Sequence, residues 1–296
     1  MMLEYIEFYK IPILSGTAAG ILLSFLGIFV VLRKTSLFGV TMSQAAGAAV
    51  IISFMLGIHG EIFIIAATSL MMLPFFIMTG RKSKFSGAIL TGGFVFFTSA
   101  GHLITVFGGN VSNHITRAFF GDILTVTQEE WDHLTLPVFM MFPVFIYFLP
   151  YFKIVVFDRD HAAILGLNIR FLEAVYFLML VFVLSISIRL FGSLFSIAQL
   201  ILPALAVLHL SRSVNFALLY AMLFSITGTL TGFIVSFYPF QAGNETLNLP
   251  TTSSIIMVLS FGTVLLFATN RLKYYLIKIT GNIFFRYGSY KNHSEE

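Results

Sequence analysis

A few side chains in this sequence have atoms able to bind or pass a polar partner, and their spacing says how. Thr91, Thr98, His102 and Thr105 fall on one face of an apolar helix. Thr41 and Gln44 open a second apolar stretch, and Ser196 and Gln199 precede Pro203 in a third. Polar atoms in hydrocarbon are costly unless they face protein or a water-filled path. Each stripe is therefore either a hydrogen-bonded seam between helices or the lining of a passage. The chain has no cysteine, so histidine is its obvious soft-metal ligand. No two histidines stand at His-x-x-x-His spacing; His102 is the best placed, because its face is otherwise threonine.

Signatures of enzymes are missing from the sequence. It contains no His-Glu-x-x-His and no Gly-x-Ser-x-Gly. No Gly-Lys-Ser/Thr occurs either, so the chain binds no ATP through a Walker A loop. Without cysteine there are no disulfides or thiolate nucleophiles. If the chain moves a solute against a gradient, the energy comes from an ion gradient or from another subunit.

The strongest local signal is Phe157–Arg170, FDRDHAAILGLNIR, a polar island between two long apolar walls. Asp158 and Asp160 suit a helix N-terminus, Gly166 suits a C′ stop, and Arg170 lies beyond it. The spacing predicts a two-turn helix lying on a membrane surface and presented to something outside the chain. The plainer reading is a capped loop helix without a partner.

The elements that must position these residues follow from composition. Of 296 residues, 58% are hydrophobic and 10% charged, against roughly a quarter charged in soluble proteins. The apolar runs are continuous rather than alternating, which excludes a β-barrel. The fold class is all-α: a polytopic transmembrane helical bundle of eight or nine spans, one domain over residues 1–296. Runs long enough to cross a bilayer are Ile11–Leu32, Phe38–Ile58, Glu61–Thr79, Ser86–Gly108, Leu134–Phe157, Phe171–Phe191, Ser193–Leu210, Val214–Tyr238 and Ser253–Asn270. Glu61, Lys153, Glu173 and Arg189 lie near span ends, where long side chains can snorkel. Gly16-Thr-Ala-Ala-Gly20 and Gly228-Thr-Leu-Thr-Gly232 are small-xxx-small patterns that read as close helix packing.

Charge gives the orientation. Alternate loops hold Lys and Arg very unequally: one set has only Lys10, Arg117 and Arg189, and the other has the rest of the 17. The positive-inside rule then places the N-terminus outside, and Phe157–Arg170 and the basic tail 271–296 in the cytoplasm. A net charge of +4 arranged this way is topology in a lipid bilayer, not nucleic-acid binding. Glu4 and Glu7 stand where a leader would be basic, so no cleavable signal peptide is expected. The outer loop Gly109–Asp132 leans acidic and reads as a cation-attracting vestibule or a solvated loop.

Three segments in order carry a resemblance. Leu32-Arg33-Lys34-Thr35-Ser36-Leu37-Phe38-Gly39 resembles a basic, Ser-Phe-x-Gly start of a second helix. Phe157-Asp158 with Leu165-Gly166-Leu167 resembles a Phe-Asp…Leu-Gly-Leu segment. Phe191-Gly192-Ser193-Leu194, Ala198, Leu200 and Pro203-Ala204 resemble a Gly-x-Leu…Ala-Leu…Pro-Ala helix. Together they are similar to the permease subunits of ABC-type importers for zinc, manganese or iron, over about Val31–Leu210.

The resemblance implies a coupling helix at Asp158–Gly166, with Asp158, Arg159, Asp160, Leu165 and Gly166 docking on a separate ATPase subunit that holds the ATP. It also implies a second permease chain, like or unlike this one, and an extracytoplasmic metal-binding protein, all at the cell (inner) membrane. The translocation path would draw on Thr41, Gln44, Thr98, His102 and Gln199. This chain departs from the family at one place. The family's second helix continues Gly-Asp-x-x-x-His-Ala, whose aspartate and histidine can ligate a divalent ion; here the sequence is Gly39-Val40-Thr41-Met42-Ser43-Gln44-Ala45. Val40 has no ligand atom and Gln44 offers a neutral amide. The ion then uses other ligands, or a second permease supplies them, or the substrate is not a bare metal ion. A secondary transporter and a membrane enzyme built on His102 or His209 are the alternatives from other classes.

Overall fold

The computed structural model describes residues 9–58, 60–79, 86–107, 121, 123–131, 136–211, 213–238, 240–242, 245–247, 249–269 and 271. Lipid offers no hydrogen bonds to a backbone, so apolar runs of this length become helices. They are α1 (Lys10–Leu32), α2 (Ser36–Met55), α3 (Glu61–Thr79), α4 (Ser86–Phe107), α5 (Leu136–Phe157), α6 (Arg159–Ile164), α7 (Ile169–Phe191), α8 (Ser193–Leu208), α9 (Val214–Phe237) and α10 (Thr251–Thr269). All but α6 and α8 are long and apolar enough to span. The basic tail beyond Arg271, and the histidines at 59, 114 and 133, lie outside the described residues.

Helix α8 has 16 residues, about 24 Å at 1.5 Å per residue, short of the ~30 Å hydrocarbon core. The reason lies at its start. Gly192, at φ 84°, turns the chain from α7 straight into α8, and Phe191, Ser193 and Phe195 are all buried there. The turn is covered by the segment between α4 and α5, whose Ile123 is fully buried against Ala19, Phe191, Phe195 and Phe233. Ile123 and Val126 of this segment enter a second small core. Glu130 closes a capping box, accepting from the Thr127 N–H at 3.0 Å. Residues 108–120, 122 and 132–135 lie outside the described residues.

Between α9 and α10 the chain makes an antiparallel hairpin, β1 (Phe240–Ala242) with β2 (Glu245–Leu247), Gln241 paired with Thr246.

Packing divides the bundle. Helix α1 lies against α8 and α9, α2 lies against α3 and α4, and α7 touches both groups. Small residues let α1 in. An ideal Cβ on Gly27 would stand 1.7 Å from the Leu200 carbonyl oxygen, so only glycine permits this backbone approach. Gly232 likewise meets the Ile255 backbone, while Gly16, Gly20 and Gly228 leave room for the side chains of Ile123, Ser225 and Leu259. A second contact is aromatic. Phe25 meets Phe145 edge-on at 4.5 Å, Phe29 meets Phe145 at 5.5 Å, and Phe152 meets Tyr176 at 5.6 Å, fastening α5 to α1 and α7. The outward faces of α3, α4 and α5 stay exposed, with Ile62, Leu70, Phe96, Leu103 and Tyr147 on them.

Gly27→Ala should therefore cost about 3 kcal/mol or more, since the clash is with backbone and cannot relax by a rotamer change. Gly92→Ala, with nothing within 4 Å of the new methyl, should be neutral or slightly stabilising. Thermal denaturation of the two purified variants, followed by gel filtration in detergent, checks the contrast.

Candidate functional site

The polar island folds as its punctuation predicts. Asp158 is extended (φ −146°, ψ 94°), and its carboxylate accepts from the His161 N–H at 2.8 Å, capping α6. At the other end Gly166 takes φ 73°. Its N–H donates to Ala163 O at 3.0 Å and the Leu167 N–H donates to Ala162 O at 3.1 Å, a Schellman closure. Ala162 is fully buried, seating one face of α6 on the bundle. The opposite face presents apolar groups outward: Ile164 is 82% and Leu165 53% exposed. Asp160 also points outward.

What fixes α6 in place is a charge cluster. Glu173, buried in the first turns of α7, receives Arg33 Nη2 at 2.7 Å and Arg159 Nη2 at 3.3 Å. Arg33 ends α1, and its guanidinium also lies 5.4 Å above the Tyr176 ring. The Tyr176 hydroxyl donates to Leu26 O at 3.0 Å. One carboxylate therefore ties α6 to α1 and α7. Glu173 and the other three charged residues near span ends, where long side chains can snorkel, all have polar partners. Arg189 meets Glu61 at 3.4 Å at the opposite end of the bundle, and Lys153 donates to Asn215. No sequence signal joins Arg33 to Glu173 across 140 positions.

The proposed path residues fall into two places. Thr41 bridges α2 and α4, its hydroxyl 2.8 Å from Leu37 O and 2.9 Å from Leu90 O. One turn further along α2, the Gln44 side-chain oxygen lies 3.2 Å from the Thr98 hydroxyl. Val40 is half-buried on the same helix, and His102 is exposed one turn beyond Thr98. Thr41, Gln44, Thr98 and His102 thus follow one seam. Gln199 is elsewhere. Fully buried in α8, its amide N–H donates to Thr229 Oγ1 at 2.7 Å, and its oxygen accepts from Ser225 Oγ at 2.7 Å. It locks α8 to α9 beside Gly20 of α1. Among the described residues no three His, Asp or Glu side chains are grouped to hold a metal ion.

A many-helix apolar bundle presenting a short capped helix at one end defines a multi-pass integral membrane protein. The family model for the ABC 3 transport family matches residues 5–270, and the chain belongs to that family. It is similar to the high-affinity zinc uptake system membrane protein ZnuB of Buchnera aphidicola subsp. Baizongia pistaciae, 25% identical over 251 residues, 83% of this chain and 95% of that one. The manganese transport system membrane protein MntC of Listeria innocua is 27% identical over 233 residues, 78% of this chain and 82% of that one. Among solved structures, PsaBC from Streptococcus pneumoniae in complex with Fab has the same fold, with a TM-score of 0.78 at 21% identity over 90% of this chain and 95% of that one.

Replacing Glu173 with alanine leaves two guanidiniums facing each other at the foot of the bundle. It should lower stability by about 3–5 kcal/mol and loosen α6. Limited trypsin digestion reads the second effect directly: cleavage after Arg159 should speed up at least several-fold in Glu173→Ala and not in Glu61→Ala, at the far end.

Proposed function

We propose that this chain is the membrane-spanning subunit of an ABC importer for a divalent transition metal, with α6 as the helix that receives motion from a separate ATPase. The observation that carries the reading is α6 itself. It is capped at both ends, seated by Ala162, tied down through Arg159, and left with Ile164 and Leu165 uncovered. A helix so fixed transmits a push from its exposed face into α5 and α7, and through Glu173 into α1. The names of the relatives supply the solute class: zinc for ZnuB and manganese for MntC. The unequal distribution of Lys and Arg puts α6 in the cytoplasm, with the N-terminus outside and the C-terminus inside.

The remaining parts follow from that role. ATP belongs to the partner, since this chain has no Walker A sequence. A second permease, identical or not, covers an outward face of the bundle, and an extracytoplasmic protein delivers the ion. The single permease domain spans residues 1–296. The path runs along the α2–α4 seam, where Thr41, Gln44, Thr98 and His102 line up, while Gln199 supports it from the neighbouring α8–α9 seam. Alternating access is then a rigid tilt of helix groups about α7. Val40 and Gln44 stand where the resembled family has its ligand pair, so cargo is held weakly there, by amide and hydroxyl oxygens, or by the second chain.

Two measurements test this. Leu165→Glu with Gly166→Asp should leave the amount of protein in the membrane unchanged and reduce ATP-dependent metal uptake at least tenfold; normal uptake would refute the role of α6. Separately, Val40→Asp/Gln44→His should raise zinc or manganese uptake or binding over the wild type. If neither version moves or binds any metal, the solute class is wrong.

A further inference from the structure

We propose that the cleft at the α6 end of the bundle binds an acidic phospholipid, with its phosphate on Lys34, Arg33 and Arg159. The cleft, about 420 Å³, opens between the α1–α2 turn, the end of α5 and the start of α7. Among the described residues its rim carries three cations and one carboxylate, Glu173, so positive charge is in excess there. Its walls are apolar, with Phe38, Phe76 and Phe177 among them. Arg33 and Arg159 share Glu173, so a neutral lipid would leave Lys34 without an acidic partner, and a free anion would leave the apolar part of the cleft uncovered. An anionic headgroup followed by the first carbons of an acyl chain suits both. Basic pockets between helix ends at a membrane surface are where such headgroups bind, and the ends of α1, α5 and α7 put this cleft at that depth.

An independent observation singles out Lys34. Helices α1, α2 and α6 all end in the same Schellman hydrogen bonding, with a left-handed residue at C′. In α2 and α6 that residue is glycine, Gly57 and Gly166; in α1 it is Lys34, at φ 57°. Lysine there is strained where glycine or asparagine would not be. Attraction to the helix dipole accounts for a cation near this end, and Arg33 already provides one. Lys34 forms no ion pair with any described residue. A strained, exposed lysine on the rim of an apolar cleft is what a headgroup ligand requires.

The inference rests on the proposed orientation only for the leaflet, cytoplasmic, and not on what is transported. The test is native mass spectrometry of the full-length protein in detergent with phosphatidylglycerol or phosphatidylcholine. Wild type should retain phosphatidylglycerol about tenfold better than phosphatidylcholine. Lys34→Asn, which suits the left-handed backbone, should lower that retention about fivefold, and adding Arg159→Gln should lower it further. Millimolar inorganic phosphate should not displace the lipid. Equal retention of both lipids, unchanged retention in Lys34→Asn, or ready displacement by phosphate would overturn the proposal. Because uptake is not read, the result is separable from the metal assignment.

Discussion

A carboxylate buried between two guanidiniums holds the working end of this molecule together. Glu173 lies at the base of α7, and both of its oxygens are taken, one by Arg33 at the end of α1 and one by Arg159 in α6. Desolvating a carboxylate is expensive, and the two guanidiniums, one partly and one half exposed, offset that cost. Its mechanical consequence matters more than its contribution to stability. A six-residue helix has too few internal hydrogen bonds to be rigid alone. Pinned by Arg159 and seated on Ala162, it moves only with α5, α7 and α1.

The rest of the bundle divides into a stiff half and a half left open. Around α1, glycines bring backbones into contact and Gln199 joins α8 to α9 through two buried hydrogen bonds. Such a unit deforms little and turns as a body. On the other side α3 and α4 hold few buried residues, and α4 forms the polar seam with α2 through Thr41, Gln44 and Thr98. A seam made of hydroxyls and one amide can open and close by exchanging single hydrogen bonds. Helix α7 touches both halves and so joins the end that holds α6 to the α2–α4 seam.

The helices and both ends of α6 were legible in the sequence because their causes are local. Apolar length dictates a span, an aspartate caps three residues onward, and a glycine permits positive φ. Glu173 was not legible as a pin, because its partners stand 140 and 14 positions away and snorkelling is the ordinary fate of such a residue. Gln199 carried the same sequence signal as Gln44, a polar group in an apolar helix; only the third dimension gives it Ser225 and Thr229. The short α8 and the buried Ile123 share a cause. Ile123, between α4 and α5, packs into the bundle beside the Gly192 turn, and hydropathy averaged over a window cannot register that. The lysine at φ 57° looks in the sequence like one more basic residue after a span.

The most direct test uses the absence of cysteine. Ala163→Cys places a single thiol on the exposed face of α6, in a chain that otherwise has none. In intact cells carrying the full transporter, a membrane-impermeant maleimide should leave it unlabelled, and a permeant photo-cross-linking maleimide should join it to the ATPase subunit. Labelling by the impermeant reagent, or cross-links that never include an ATPase, would contradict the account.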